Sequence, residues 1–353
     1  MIELCPTAGL RPLLESAFAF AQKQVLALVE RDPDFYPMYT REGRWRHTGE
    51  AWTHWCDGFL PGMMWIFYDR TREERWRALA ERYSRPLEPR KLDRAVHDLG
   101  FIFMSTYYRW FRLAGDPALE QVVIEAGRTM GLRFREKGQY LSSFIGPESI
   151  FIDIMMNVGI IFYAALRAND PALFSVALRH SLTTRRVLVR GDGSTSHEGI
   201  YDTDTGEFLR QSTRQGKRGD TCWSRGLTWA LYGFGTVYHY TRDPRFLATA
   251  EACAEYYLRN TPAGGVPPWD YDIGPQDPPH LDTSAAAIGA SGLIQLAELS
   301  ADPARSMVYR NAALRILRTL SAPPHLASER QGWEASSPEA YTTSTKVWAS
   351  MRA

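Results

Sequence analysis

The chain has 353 residues, of which 44% are apolar and 23% charged, and these ordinary values exclude disordered and collagen-like proteins. Lys and Arg total 41 against 40 Asp and Glu, so the net charge of +1 creates no global field for nucleic acid or an anionic membrane. The longest apolar stretches, such as residues 158–166, are shorter than the roughly 18 residues that a spanning helix needs. We therefore expect neither nucleic acid nor a membrane as a partner, and the sequence says nothing about the oligomeric state.

The N-terminal residues and the cysteines indicate the compartment. Charged and polar residues interrupt the first apolar segment, so it does not read as a secretory signal. Cys5, Cys56, Cys222 and Cys253 lie far apart, without the paired spacing of a zinc site or a redox dithiol. We expect free thiols and a cytoplasmic protein.

Apolar residues recur at three- and four-residue steps with almost no alternation, which predicts helices nearly throughout. Four Asp-Pro pairs punctuate this pattern, each with Asp as an N-cap and Pro at the first helical position: Asp116-Pro117, Asp170-Pro171, Asp243-Pro244 and Asp302-Pro303. A fifth break is expected at residues 68–70. Repeated helical hairpins with long loops predict an all-α fold, a double-layered α/α barrel (toroid) of inner and outer helices.

Two aspartates are candidates for acid–base chemistry. Asp153 lies in the otherwise apolar run at residues 151–157, where desolvation would raise its pKa toward that of a general acid. Asp98 lies between His97 and Gly100, at the start of another apolar helix. Each aspartate could instead be a structural N-cap, and the sequence leaves both interpretations open.

Two loops are rich in polar and aromatic residues. Residues 191–197 form a turn ending in His197, and the acidic stretch at 201–207 follows it without the ligand spacing of a calcium loop. Five Lys and Arg residues then lie between residues 210 and 225, beside Trp223 and Trp229, a composition typical of a sugar site that binds a carboxylate.

Motifs for phosphate, dinucleotide and zinc binding, and the nucleophile elbow, do not occur in the sequence. We therefore predict no cofactor and no metal. The carboxylates, arginines and tryptophans that remain point to a carbohydrate substrate.

At these residues the sequence resembles the unsaturated glucuronyl hydrolases of glycoside hydrolase family 88. The matching motifs are His-Asp-x-Gly-Phe at 97–101, Asp-Ile-Met-Met-Asn at 153–157, Gly-Ser-Thr-x-His at 193–197 and the block Thr-x-Gln-Gly…Trp-Ser-Arg-Gly-x-x-Trp at 213–229. The resemblance implies an (α/α)6 barrel that acts on lyase-generated oligosaccharides carrying a 4,5-unsaturated uronic acid at the non-reducing end.

The resemblance also implies a mechanism and a set of site residues. The family hydrates a vinyl ether instead of attacking the anomeric carbon directly. Asp153 matches the general acid and base, and Asp98 matches the second aspartate, which holds ring hydroxyls. Further residues match the lining of the sugar subsite: His97, His197, Gln215, Arg225, Trp229 and, more weakly, the stacking residue Trp55.

The C-terminal residues depart from the family. Family members end with an inner helix preceded by a Gly-Val-Asp-Glu-Ser loop, and no such stretch follows Trp333. We therefore expect a barrel at residues 1–333 without its closing helix, and an atypical tail at 334–353. The codons of this tail, read in a neighbouring frame, can spell that loop, so we expect a frameshift and weak activity.

Two other functions stay open at this point. An unsaturated rhamnogalacturonyl hydrolase would share the barrel and the hydration chemistry, with a different aglycone. A non-catalytic sugar-binding toroid belongs to a different class of protein. The turn at residues 193–197 and the block around Arg225 favour the glucuronyl hydrolase.

Overall fold

Helices alternate between an outer and an inner layer along the chain. The computed structural model describes residues 7–47 and 51–337, with residues 51–53 by their backbone only. Within these residues, the outer helices are α1 (Leu10–Arg31), α3 (Glu74–Ser84), α6 (Pro117–Gly131), α9 (Pro171–Leu188), α11 (Pro244–Asn260) and α13 (Pro303–Leu320). The inner layer contains α2 (Phe59–Thr71), α4 (Leu99–Ser105) with α5 (Tyr107–Ala114), α7 (Ile154–Asn157) with α8 (Gly159–Arg167), α10 (Ser224–Thr241) and α12 (Thr283–Leu299).

The inner segments pack side by side in chain order, from α2 through α4, α7, α8 and α10 to α12, and the outer helices cover them. Side chains such as Met64, Phe103, Ile161 and Phe234 are completely buried between the two layers. Enclosure on nearly all sides explains why the inner segments are so apolar. The predicted double-layered α/α barrel is confirmed.

The four Asp-Pro breaks begin helices as predicted. Each aspartate is an N-cap whose side chain accepts a backbone N–H of the first turn at 2.9–3.0 Å, in α6, α9, α11 and α13. The fifth predicted break separates two helices as expected but lies a few residues later, because α2 continues through residues 68–70 to Thr71 and α3 begins at Glu74. This segment has no proline to remove a backbone donor, and the helix ends instead at Arg72, whose φ is +58°.

Short antiparallel sheets occupy the loops, where the sequence pattern predicted no strands. They comprise β1 (Tyr39–Arg41) with β2 (Arg44–Arg46), β3 (Phe134–Arg135) with β4 (Tyr140–Leu141), and a three-stranded sheet of β5 (Ser149–Phe151), β6 (Glu198–Tyr201) and β7 (Phe208–Ser212). Strands of two to five residues are too short to show a two-residue period. The last sheet pairs Phe151 with Glu198, which brings the loops around Asp153 and His197 together.

Beyond α13, residues 321–337 contain a short 3-10 helix (Ala327–Glu329) and no α-helix. Trp333 packs on Gly43, where a Cβ atom would lie 2.7 Å from the indole ring. Glu334 accepts the backbone N–H of Trp45 at 2.7 Å and forms an ion pair with Arg44 at 2.7 Å. The predicted tail thus begins at a residue in contact with the N-terminal hairpin. Its remainder from residue 338, with the predicted frameshift and the position of a closing helix, lies outside the described residues.

Cys56, Cys222 and Cys253 are buried free thiols, as expected. Cys5 lies outside the described residues. None of the helices that the structure describes combines the length and the apolar character needed to cross a membrane.

Candidate active site

Asp98 and Asp153 lie at the N-terminal ends of two inner helices, α4 and α7, and are 5% and 6% exposed. Neither carboxyl group caps its helix. Asn157 provides a capping hydrogen bond to α4 instead, since its Oδ1 accepts the N–H of Phe101 at 2.8 Å. Its Nδ2 donates to the Asp153 carbonyl at 3.1 Å. The N-cap interpretation is therefore not supported for either carboxyl group.

A glycine allows this close approach of the two helices. A Cβ atom at Gly100 would lie 2.6 Å from the Cα of Asn157. Real Cβ atoms do not approach a backbone atom that closely, so α4 and α7 meet at this distance only with glycine at position 100. Close helix packing thus explains the glycine of the His-Asp-x-Gly-Phe motif.

Burial raises the pKa of both aspartates. Desolvation raises the pKa of Asp98 to about 7, although Arg133, Arg90 and a hydrogen bond with Asn157 oppose the rise. Desolvation also raises the pKa of Asp153 well above its usual range, and the negative charge of Asp98 adds to that rise. Burial therefore favours the protonated form of both carboxyl groups, and the charge of an ionised Asp98 favours it further at Asp153.

Two buried histidines face the two aspartates in the same tautomer. The Nδ1 atom of His97 accepts the N–H of Phe144 at 3.0 Å, and that of His197 accepts the N–H of Arg214 at 2.9 Å. Burial lowers the pKa of His197 to about 3 and that of His97 well below its usual value, so both rings are neutral and carry their proton on Nε2.

Both Nε2 atoms are buried and make no hydrogen bond within residues 7–47 and 51–337. The Nε2 atom of His97 lies 3.4 Å from Oδ1 of Asp98, and that of His197 lies 4.0 Å from Oδ1 of Asp153. Buried polar atoms in folded proteins almost always have a partner, and exceptions call for an explanation. A polar ligand bound between the two histidines and the two aspartates would give these atoms hydrogen-bond partners.

A continuous series of aromatic rings forms one side of this region. Successive ring centroids lie 5.5 Å apart for Trp55 and Phe101, 6.0 Å for Phe101 and Trp229, 5.1 Å for Trp229 and Trp223, and 5.1 Å for Trp223 and His197. The predicted residues Trp55, Trp229 and His197 are thereby connected to each other. An apolar wall beside a few converging polar groups is the usual composition of a small-molecule site.

Acidic side chains neutralise most of the basic segment that the sequence analysis singled out. Four of its five cations form ion pairs: Arg214 with Glu198 at 3.4 Å, Lys217 with Asp277 at 2.7 Å, Arg218 with Asp220 at 3.0 Å and Arg225 with Asp282 at 2.8 Å. The segment therefore does not provide a diffuse positive field.

Arg225 differs from the other cations of this segment by its burial, with 7% exposed, and by its position over the Trp223 ring at 5.3 Å. Asp282, its partner, also caps α12 by accepting the N–H of Ala285 at 3.0 Å. Gln215 is half-buried and follows Arg214, whose backbone N–H orients His197. These residues belong to the same region as the aspartates.

Sequence reasoning missed three residues of this region. Asn157 stands four positions after Asp153, a helical spacing that could have revealed it. Sequence reasoning assigned no role to Trp223, which lies beside the basic segment, whereas the structure places it at the centre of the aromatic wall. Asp282 precedes Thr283-Ser284 and an apolar run, which is the signal of a helix N-cap.

Comparisons with known proteins agree with this geometry. Residues 34–264 match the family model described as Glycosyl Hydrolase Family 88. The chain is 33% identical over 268 residues to an unsaturated glucuronyl hydrolase of Bacillus sp. (strain GL1), which covers 72% of this chain and 70% of that protein. An unsaturated chondroitin disaccharide hydrolase of Streptococcus pneumoniae (strain ATCC BAA-255 / R6) is 26% identical over 280 residues. This match covers 76% of this chain and 70% of that protein.

Solved structures show the same barrel. The unsaturated glucuronyl hydrolase of Bacillus sp. GL1 superposes with a TM-score of 0.87 at 26% identity, over 94% of this chain and 90% of that one. A crystal structure described as an unsaturated glucuronyl hydrolase specific for heparin superposes with a TM-score of 0.86 at 28% identity, with the same coverage. The fold is thus the (α/α)6 barrel of these enzymes, and the chain belongs to glycoside hydrolase family 88.

Proposed function

We propose that this chain releases a 4,5-unsaturated uronic acid from the non-reducing end of lyase-generated oligosaccharides by hydrating its vinyl ether. The observation that carries the proposal is the pair of buried aspartates, both with a raised pKa, beside two neutral histidines whose Nε2–H groups have no hydrogen-bond acceptor among the described residues. The names of the relatives, unsaturated glucuronyl and chondroitin disaccharide hydrolases, support the same substrate class.

Protonation of the alkene is the first step. Asp153 donates its proton to C4, and positive charge develops at C5, where the ring oxygen shares it. Desolvation suits Asp153 to this role, because it keeps the carboxyl group protonated at a pH where an exposed aspartate would be ionised. The charge of an ionised Asp98 favours the protonated form of Asp153, and its carboxylate can accept hydrogen bonds from ring hydroxyls.

Addition of water completes the hydration. The carboxylate of Asp153 takes a proton from a water molecule whose oxygen bonds to C5, which gives a hemiketal. Opening of the hemiketal breaks the bond between C5 and the ring oxygen and leaves a ketone at C5 and a hemiacetal at C1. Collapse of that hemiacetal forms an aldehyde and releases the aglycone alcohol, so one water is consumed without any oxidant or reductant.

The remaining residues would bind and orient the sugar. We assign the Nε2–H groups of His97 and His197 to ring hydroxyls or the carboxylate, since these donors have no protein acceptor in hydrogen-bond geometry in the described chain. Arg225, held by Asp282, and Gln215 are assigned to the substrate carboxylate. Trp229 and Trp55 offer the stacking surface.

The proposal favours the glucuronyl hydrolase over the two other functions. The two relatives named above are glucuronyl and chondroitin disaccharide hydrolases by name, and neither is a rhamnogalacturonyl hydrolase. The pair of buried aspartates argues against a non-catalytic toroid, because buried carboxyl groups cost stability that a binding protein need not accept. The free thiols Cys56, Cys222 and Cys253 support a cytoplasmic location.

Substitution of the proposed acid tests the function. Loss of the absorbance of the conjugated alkene is followed with an unsaturated glucuronyl disaccharide. Asp153→Asn should lower kcat by about 10²- to 10⁴-fold, the usual share of a positioned acid or base, and remain folded. The control is Asp204→Asn, at an exposed residue, which should turn over at the rate of the unmodified chain.

Two outcomes would count against the proposal. Rapid turnover by a folded Asp153→Asn variant would remove this residue from the mechanism. An unmodified chain that binds the disaccharide without any loss of absorbance would instead support the sugar-binding toroid. A panel of aglycones, including rhamnose, separates the two hydrolases.

A further inference from the structure

A cluster of two histidines and one aspartate lies outside the aspartate pair, on the segment that leads into α2. His47 follows β2, His54 lies in the 3-10 helix Ala51–Cys56, and Asp57 comes directly after that helix. Ligand atoms of the three residues lie within 4.8 Å of one another, close enough to share one metal ion. The carboxyl group of Asp57 is 5% exposed, and the rings of His47 and His54 are 14% and 35% exposed.

Hydrogen bonds determine the tautomers of both rings. The Nδ1 atom of His47 contacts the carbonyl oxygen of Tyr36, which can only accept, so this nitrogen carries a proton. The Nδ1 atom of His54 lies 3.2 Å from the Asp57 carboxylate and donates to it. In the neutral state, each ring therefore presents the lone pair of its Nε2.

The two Nε2 atoms face each other at 3.2 Å. Two lone pairs at this distance repel unless a cation lies between them. Two imidazole nitrogens bound to one tetrahedral Zn²⁺ at 2.0–2.1 Å are about 3.3–3.4 Å apart, which is close to the observed separation. The two nitrogens therefore already have about the separation that a shared metal ion requires.

The surroundings resemble those of metal-binding histidines. Such histidines almost always donate their second ring N–H to a backbone carbonyl or a carboxylate, and His47 and His54 do so to Tyr36 and Asp57. The carboxylate of Asp57 lies beside both Nδ1 atoms, with Oδ2 3.2 Å from that of His54 and Oδ1 3.8 Å from that of His47, so it orients the rings from the side away from their Nε2 atoms. Arg90 approaches Oδ2 of the same carboxylate at 3.4 Å.

We propose that the Nε2 atoms of His47 and His54, with Asp57 as the carboxylate that orients His54, bind one divalent transition-metal ion of the zinc type. Imidazole ligands suit Zn²⁺ or Co²⁺ and do not suit Mg²⁺ or Ca²⁺, which prefer oxygen ligands. Trp55 directly follows His54 in the chain, so the ion would hold the segment that carries this part of the aromatic wall. The proposal does not depend on the proposed hydrolase activity.

Zinc titration of the full chain, after treatment with a chelator and its removal, tests this site. We expect one equivalent of Zn²⁺ to bind and raise the Tm, and Co²⁺ to give the visible absorption of a tetrahedral site. Mg²⁺ should do neither. His54→Gln should lower zinc affinity by more than 100-fold, because loss of a ligand costs more than the 10- to 100-fold loss caused by removing a hydrogen-bond partner of a ligand.

The control is His239→Ala, at an exposed histidine in the last turn of α10, which should bind zinc as the unmodified chain does. His54 is half-exposed, so its substitution should leave the circular dichroism spectrum unchanged; His47→Gln provides a second variant if it does not. A chain that takes up no zinc would overturn the proposal. So would equal zinc binding by the unmodified chain and by both ligand variants.

Discussion

Replacing Asp98 with asparagine should stabilise the fold at neutral and alkaline pH while it impairs the site. The pKa of this aspartate is raised from 3.8 to about 7 in the folded protein, mainly by burial. A group with a raised folded-state pKa contributes stability that is complete below the unfolded pKa and is lost as the pH rises through the folded pKa. The unmodified protein should therefore lose stability between about pH 4 and pH 8.

The size of that loss follows from the shift. A difference of about three pKa units, at 1.36 kcal/mol each, corresponds to about 4 kcal/mol at pH values above 7. Asp98 is buried, so solvent does not screen this cost. Since small proteins unfold with about 5–15 kcal/mol, the penalty is a large fraction of the total stability. Asparagine has nearly the same shape and no charge, and so avoids it.

Urea denaturation of the unmodified chain and of Asp98→Asn, at several pH values from about 4 to 8, measures the effect. The difference in the free energy of unfolding should grow in favour of the variant by as much as about 4 kcal/mol as the pH rises. The exposed Asp204→Asn control should show no such growth. A difference between Asp98→Asn and the unmodified chain that is constant across this range would refute the argument from burial.

Two further predictions concern activity. Because the charge of Asp98 helps to raise the pKa of Asp153, Asp98→Asn should move the alkaline limb of the kcat/KM profile to lower pH; an unchanged limb would show that the two carboxyl groups are not coupled. Arg225→Ala should raise KM by about 10- to 100-fold, the equivalent of about 1.5–3 kcal/mol for a hydrogen bond to a charged group. The same variant should lower the free energy of unfolding, because it leaves Asp282 buried without its cation. Arg218→Ala, at an exposed residue, should change neither quantity, and equal effects on KM from both variants would point to a diffuse field.

The sequence was sufficient for the features that depend on local chemistry. The three- and four-residue period and the Asp-Pro pairs predicted the helices and their first residues, because capping and helix amphipathicity act within one or two turns. The break expected at residues 68–70 lies at residues 72–73, since without a proline nothing in that segment ends the helix before Arg72. The short strands were missed because two to five residues show no measurable period.

For the candidate site, the sequence identified residue types in a suggestive order, and the motifs placed them in a family. It could not distinguish a helix cap from a proton donor at Asp98 or Asp153, since both uses start from an aspartate before an apolar helix. Nor could it show that Asp282, far along the chain, would neutralise Arg225.

The tertiary structure decided these questions because desolvation, tautomers and ion pairs depend on distant neighbours. Asn157 makes a capping hydrogen bond at α4 in place of Asp98, while the barrel buries Asp153 deeply enough to raise its pKa well above the usual range. The N–H groups of Phe144 and Arg214 orient His97 and His197 toward the two aspartates. The same kind of information places His47 against His54, which are seven residues apart in the chain and whose Nε2 atoms lie 3.2 Å apart in the fold.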